Sequence, residues 1–332
     1  MIKNAIQWGY KKMKLSVKSL QRLVKGALCS TTKNGYITFY RFGKNQLDYM
    51  SNEEYDYGWR NWAKFSGGIR IELRTDSEMI SFDYLSSCQH ERANTIDLYI
   101  DNILSRVYKI EDKLKGRVHF TLPKGEKNVT IYFPNESILQ IKCFTIDGHY
   151  KSIKDTREKI LAIGDSITQG AGPEFASVSY VNTLTREYKY DILNQGIGGY
   201  RFEAKDLMKI EGFEPDRIIV ALGTNYYEGS ESYDYEKEVE NFFERLNIIY
   251  PDIKKLVITP IYRTRELDII RFEWCRGVIK EKALRYKSTY VIDGKHLMPN
   301  DPVTLSDGVH PSTYGSVMIS RNLIKFMKEI KF

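Results

Sequence analysis

Near residue 155 the chain changes its pattern, and this change constrains its fold more than any other feature. Beyond it, apolar runs of strand type alternate with segments of helical periodicity. The strand candidates are Ile160–Ile163, Asp191–Asn194, Arg217–Leu222, Lys255–Thr259 and Tyr290–Ile292. The helical candidates are Ser179–Tyr188, Tyr235–Tyr250, Phe272–Arg285 and Ser312–Lys328. Such alternation predicts a parallel sheet covered by helices on both faces.

Before the change, the chain has seven short strand-like runs and little helix. They are Tyr36–Phe42, Ile69–Arg74, Met79–Tyr84, Thr95–Ile100, Val118–Leu122, Val129–Phe133 and Leu139–Ile146. Turn residues lie between many of them, as in Ser66-Gly67-Gly68 and Asp101-Asn102. Short strands with turn signals predict a β-sandwich. Ser152–Lys159 is polar and charged and reads as the linker. Three parts result: an N-terminal arm over 1–28, a sandwich over 29–151 and an α/β domain over 158–332. A chain of 332 residues accommodates two domains of ~100–200 residues.

The net charge of +7 is unevenly spread. Residues 1–47 hold ten basic residues and no acidic one, while the remainder is slightly acidic. Basicity is therefore an N-terminal feature and argues against a nucleic-acid substrate, which would need it on the working face. In the arm, Ile2, Ile6, Tyr10, Met13, Val17, Leu20 and Val24 recur at helical spacing. The favoured reading is a helix packed on its own domain by this stripe. Attachment to an acidic membrane surface is the weaker reading.

Cys29, Cys88, Cys143 and Cys275 are scattered, with neither disulfide-framework nor zinc spacing. No apolar run approaches the ~18–20 residues that span a membrane, and within the arm Lys11, Lys12, Lys14 and Lys18 interrupt any apolar stretch that could form a signal-peptide core. These features place the protein in the cytoplasm.

In an open parallel sheet, ligands bind beyond the carboxyl ends of the strands. There the sequence places Gly164-Asp165-Ser166, Gly196-Ile197-Gly198-Gly199, Gly223-Thr224-Asn225 and, before the last helix, Asp307-Gly308-Val309-His310-Pro311. A serine hydroxyl is a weak nucleophile and needs a base, which His310 can supply. Asp307, three residues earlier, can orient the imidazole and stabilise its charged form. Backbone N–H groups at glycines and the Asn225 amide can hold a developing oxyanion, each donor being worth ~3–4 kcal/mol of barrier.

Together the four segments resemble the four blocks of the SGNH (GDSL) hydrolase superfamily. The resemblance covers roughly residues 158–330. It implies a three-layer α/β/α flavodoxin-like domain that hydrolyses esters without metal or other cofactor. It also implies Ser166 as nucleophile, Asp307 and His310 as its partners, and Ser166, Gly199 and Asn225 as the oxyanion hole. The third block usually continues Gly-x-Asn-Asp, and here Tyr226 replaces the acid. Thr95-Ile96-Asp97-Leu98-Tyr99 is similar to a Gly-x-Asp-Leu-Tyr signature of sandwich domains that precede some SGNH esterases, without its glycine. The order of sandwich and hydrolase domain resembles carbohydrate esterases that remove acetyl groups.

Asp165 reads chiefly as a loop-holding residue that accepts backbone N–H groups. Asp165, Tyr226 and Tyr227 are also the candidate substrate contacts. Tyr55, Tyr57, Trp59 and Trp62 read as core or domain interface, with sugar stacking as the alternative. The Gly-x-Ser-x-Gly elbow, the phosphate-binding loop, the dinucleotide fingerprint and His-Glu-x-x-His are absent. The expected activity is serine esterase on a short acyl group, acetyl as the resemblance implies, carried by a small-molecule or oligosaccharide alcohol. A lysophospholipase or thioesterase, and a catalytically weak carbohydrate-binding protein, are the alternatives.

Overall fold

The computed structural model describes residues 12–87, 94–110, 114–154, 156–188, 190–225, 234–265 and 268–332. Its N-terminal half holds two six-stranded antiparallel sheets. One has the order Cys29–Lys33, Tyr36–Tyr40, Leu139–Ile146, Met79–Ser86 and Lys115–Thr121, with Met13–Lys14 on Leu139–Ile146. The other runs Tyr150–Ser152, Arg70–Thr75, Lys127–Tyr132, Thr95–Ile100 and Ile103–Lys109, with Val24–Lys25 on Arg70–Thr75. Alternate residues of each strand point inward. Ile71, Leu73, Ile80, Phe82, Ile96, Leu98, Val129 and Ile131 thus fill one core between the sheets.

The arm differs from the single helix expected over 1–28. Residues 1–11 lie outside the described residues. Among the described residues of the arm, helix is confined to Val17–Leu23, capped by the Ser16 hydroxyl. It stops because Val24–Lys25 pair with Arg70–Ile71, and ladder bonds outweigh continued helical pairing for a β-branched residue. Of the stripe, Leu20 is buried in the sandwich core and Val24 packs against it, whereas Met13 and Val17 are exposed; Leu15 and Leu23, outside the stripe, are buried in the same core.

Two short helices, Lys44–Met50 and Tyr57–Trp62, interrupt the strands. Each is under two turns, too short to show helical periodicity in the sequence. Asp56 starts the second by accepting the Trp59 N–H. Phe42, Met50, Tyr55, Trp59 and Ala63 belong to the same core as Leu161, Ile163 and Leu193 of the C-terminal half.

That half carries a five-stranded parallel sheet, Lys159–Gly164, Asp191–Gly196, Arg217–Ala221, Lys254–Ile258 and Thr289–Ile292. In space the second strand comes first, then the first, third, fourth and fifth. Ile160 and Ala162 face the helices Tyr180–Glu187 and Thr313–Glu329. Leu161 and Ile163 face Tyr235–Ile249 and Ile269–Leu284. The result is the three-layer flavodoxin-like domain expected from the sequence. Its topological switch point lies beyond Gly164, where strand order reverses and a crevice opens.

Strand Thr95–Ile100 ties the halves together. Ile96 and Leu98 point into the sandwich, so Thr95, Asp97 and Tyr99 share the other face. Thr95 Oγ1 accepts the Ala176 N–H at 2.9 Å, and Asp97 Oδ2 accepts the Ser177 N–H at 2.7 Å. Tyr99 donates to Ser177 Oγ. The Asp-Leu-Tyr run seen in the sequence is thus a docking strand for the C-terminal α/β domain. Among the described residues, no helix is long and apolar enough to cross a membrane.

Candidate active site

Strand Lys159–Gly164 ends beneath a short helix, Ser166–Gln169. Asp165 caps that helix, its Oδ1 accepting the Ile167 N–H at 3.0 Å. Burial pushes the Asp165 pKa up to about 6, against the opposing pull of this cap bond. Ser166 is the first helical residue, where a backbone N–H has no partner within the helix.

His310 approaches from the loop after the fifth strand. Its Nε2 lies 2.8 Å from Ser166 Oγ, and its Nδ1 lies 2.8 Å from Asp307 Oδ2. The other Asp307 oxygen accepts the N–H groups of Val309 and His310 at 3.0 and 2.9 Å. Partial burial raises the Asp307 pKa. The bonds from the His310 ring and backbone outweigh that cost and hold it well below the usual carboxylate range. The carboxylate is therefore ionised and fixed at both oxygens. The Ser306 N–H donates to the His310 carbonyl at 2.8 Å, closing the loop around the imidazole.

Gly199 follows the second strand with φ +66°, a conformation that favours glycine. Its neighbour Gly198 donates to Gln169 Oε1, and among the described residues no acceptor takes the Gly199 N–H. One Asn225 amide hydrogen goes to the Tyr200 carbonyl at 3.1 Å, which fixes the side chain and leaves the second hydrogen. Ser166, Gly199, Asn225 and His310 line one cleft of ≈ 220 Å³. The structure thus brings these sequence candidates together, with Asp307 behind the imidazole.

Asp165 is a correction among the candidate substrate contacts. It is 2% exposed, bonded to the helix it caps, and does not line the cleft. Tyr226 and Tyr227 lie outside the described residues. Trp62, Phe65, Glu136, Gln169, Arg263 and Arg265 also line the cleft, and of these the sequence reading had singled out Trp62 alone, within the aromatic cluster. Three of these come from the N-terminal half, so that half builds part of the site. Of the aromatic cluster, Tyr55 is buried against Trp59 and Trp59 against Tyr200, Tyr57 is exposed, and Trp62 forms cleft wall. Among the described residues, no group of three or more His, Cys, Asp or Glu could hold a metal ion.

A serine bonded to an imidazole, itself bonded to a carboxylate, with Gly199 and Asn225 lining the same cleft, is an arrangement suited to acyl transfer. Comparison with known proteins agrees. Residues 162–316 match the model of the GDSL-like Lipase/Acylhydrolase family. No curated protein matches the chain. Among solved structures, the salicylyl-acyltransferase SsfX3 from a tetracycline biosynthetic pathway superposes with a TM-score of 0.80 at 17% identity, over 97% of both chains. A putative GDSL-like lipase from Bacteroides ovatus gives 0.74 at 20% identity, over 96% of this chain and 97% of its own. An acetyl xylan esterase (Est2A) from the rumen bacterium Butyrivibrio proteoclasticus gives 0.61 at 15% identity, over 96% and 98%. At these identities the superpositions establish a shared two-part fold. Residues 162–316 thus carry a GDSL-like lipase/acylhydrolase domain, the SGNH type that the sequence blocks resemble.

Proposed function

We propose that the protein is a serine esterase that removes a short acyl group, acetyl in the first instance, from a carbohydrate alcohol through an acyl-enzyme. The observation that carries this reading is the continuous chain Ser166 Oγ, His310 and Asp307, each link 2.8 Å long. His310 Nε2 takes the hydroxyl proton as Ser166 Oγ attacks the ester carbonyl. The oxyanion is met by the N–H groups of Ser166 and Gly199 and by the Asn225 amide. His310 returns the proton to the leaving alcohol, then takes one from water, which hydrolyses the acyl-enzyme. Asp307 keeps the imidazole in the tautomer that places a lone pair toward serine. A cleft of ≈ 220 Å³ suits a small acyl group and part of one alcohol. The acetyl xylan esterase among the structural relatives supports acetyl on a sugar.

The test is hydrolysis of p-nitrophenyl esters from acetate to octanoate by wild type and Ser166→Ala. The expected result is a rate highest on acetate and lost in the variant. A clear preference for octanoate would replace the deacetylase with a lipase-like activity, and turnover surviving Ser166→Ala would remove the nucleophile assignment.

A second reading is transfer of the acyl group to an alcohol other than water. It is favoured by the superposition on SsfX3 over nearly the whole of both chains. The same assay separates the two. Added alcohol or sugar that accelerates p-nitrophenol release, with formation of the new ester, would mark a transferase.

A further inference from the structure

Arg41 is fully buried, and its guanidinium contacts no carboxylate among the described residues. It spends its hydrogens on main-chain carbonyls instead. Nε donates to the Phe65 carbonyl at 2.7 Å. One terminal nitrogen donates to the carbonyls of Asn194 and Gly196, both at 2.8 Å. The other reaches the Trp62 carbonyl at 3.2 Å. Burying a charge this completely is costly unless its hydrogen bonds are satisfied, so the arrangement calls for an explanation beyond stability.

The carbonyls belong to two walls of the candidate site. Trp62 and Phe65 line the cleft from the N-terminal half. Asn194 and Gly196 end the second strand, three residues before Gly199. The two walls also touch directly, since Trp62 lies against Gly198. Asn194 extends the linkage to the nucleophile: its amide donates to the Thr168 carbonyl at 2.7 Å, and its oxygen accepts the Gly196 N–H. Behind Arg41, its own carbonyl accepts from Gln195, which pairs with Gln46. The planar fork of the guanidinium matches several carbonyls at fixed angles, which a lysine ammonium cannot.

We propose that Arg41, a residue of the N-terminal half, is a positioning residue for the hydrolytic reaction: its guanidinium clamps the Gly196–Gly199 turn to the Trp62–Phe65 wall and so aims the Gly199 N–H at the oxyanion. This rests on the esterase reading above and assigns part of its transition-state machinery to the other half of the chain. Arg41 touches no substrate. It acts through the main chain of Gly196.

The experiment compares Arg41→Met and Arg41→Lys with wild type. Folding is checked by circular dichroism and gel filtration, and kcat and KM are measured on p-nitrophenyl acetate. Amide hydrogen exchange is read over residues 196–199. In folded Arg41→Met, kcat falls at least tenfold while KM changes less than threefold, because a displaced oxyanion donor acts on the transition state. Exchange over 196–199 accelerates at least tenfold in the same protein. Arg41→Lys lies between wild type and Arg41→Met in both measurements. A folded Arg41→Met with kcat within threefold of wild type, or with unchanged exchange, overturns the proposal. So does failure of both variants to fold, which would make the residue purely structural. A wild type without ester turnover would sink the esterase reading alone, and the exchange arm would still decide whether Arg41 fixes the turn.

Discussion

Gly172 offers a strong test of the geometry around the base. It is buried with φ +106°, and a β-carbon built there would fall on the Pro311 carbonyl oxygen and 2.8 Å from the His310 Cβ. Gly172→Ala therefore meets two penalties. The left-handed backbone costs ~1–2 kcal/mol with a side chain, and the overlap costs a further ~1–3 kcal/mol. The overlap can be relieved only by moving the His310–Pro311 backbone. Opening the contact to ordinary packing distance needs a shift of ~0.5–1 Å, which carries the imbalance into the 2.8 Å Ser166–His310 bond. A misplacement of ~1 Å at a catalytic group costs on the order of 10²-fold. The expected variant is folded, with a Tm lowered by roughly 1–2 °C per kcal/mol and kcat on p-nitrophenyl acetate ~10–100-fold lower. Gly212→Ala is the control: its φ is +75°, but nothing lies within 4 Å of the added carbon. It carries the backbone strain without the collision, so Tm falls and kcat stays. A folded Gly172→Ala with wild-type kcat would refute the claim that this glycine makes room for the base.

Two more predictions follow from the site. Asn225→Ala removes one oxyanion donor whose partner hydrogen is already committed to Tyr200, and kcat on p-nitrophenyl acetate should fall ~10²–10³-fold with little change in KM; a loss confined to KM would place Asn225 in ground-state binding instead. Asp165→Asn tests the buried cap by its pH dependence. The folded pKa of Asp165 is raised from 3.8 to about 6, so the native state binds the proton more tightly and wild-type stability declines as pH rises through that window. Asparagine keeps the cap without the charge, so the Tm of Asp165→Asn relative to wild type should rise between pH 4 and pH 7; a constant difference would mean the carboxylate is not penalised by burial.

Much of the fold was legible because it rests on local periodicity. Five apolar runs separated by helical segments specify a parallel sheet, and the described helices begin within a few residues of the expected positions. Tyr180–Glu187 and Tyr235–Ile249 are two such cases. The arm was less legible, for a physical reason. Its apolar spacing is genuinely helical, but at Val24 a ladder with Arg70–Ile71 competes with the helix and prevails. That pairing partner lies more than forty residues away, and no local window contains it. The helices Lys44–Met50 and Tyr57–Trp62 escaped for a related reason. Their apolar residues face a core supplied by the other half of the chain, through Leu161, Ile163 and Leu193.

The site divides along the same line. Ser166, Gly199, Asn225 and His310 each follow a strand end, and Asp307 precedes His310 by three residues, so chain-local chemistry announces them. Trp62, Phe65 and Glu136 have no such mark. Trp59 and Trp62 stand one helical turn apart, yet Trp59 packs on Tyr200 in the core while Trp62 faces the cleft. What separates them is the position of the whole segment, and that is set at the Arg41 carbonyl cluster, joining residues more than 120 positions apart. A sequence pattern can place a nucleophile, a base and a carboxylate because one strand order brings them together. It cannot place a wall built by a different domain. In this protein Arg41 ties that wall to the Gly196–Gly199 turn, and a C-terminal domain expressed from residue 158 should lose one side of its cleft together with the restraint on Gly199.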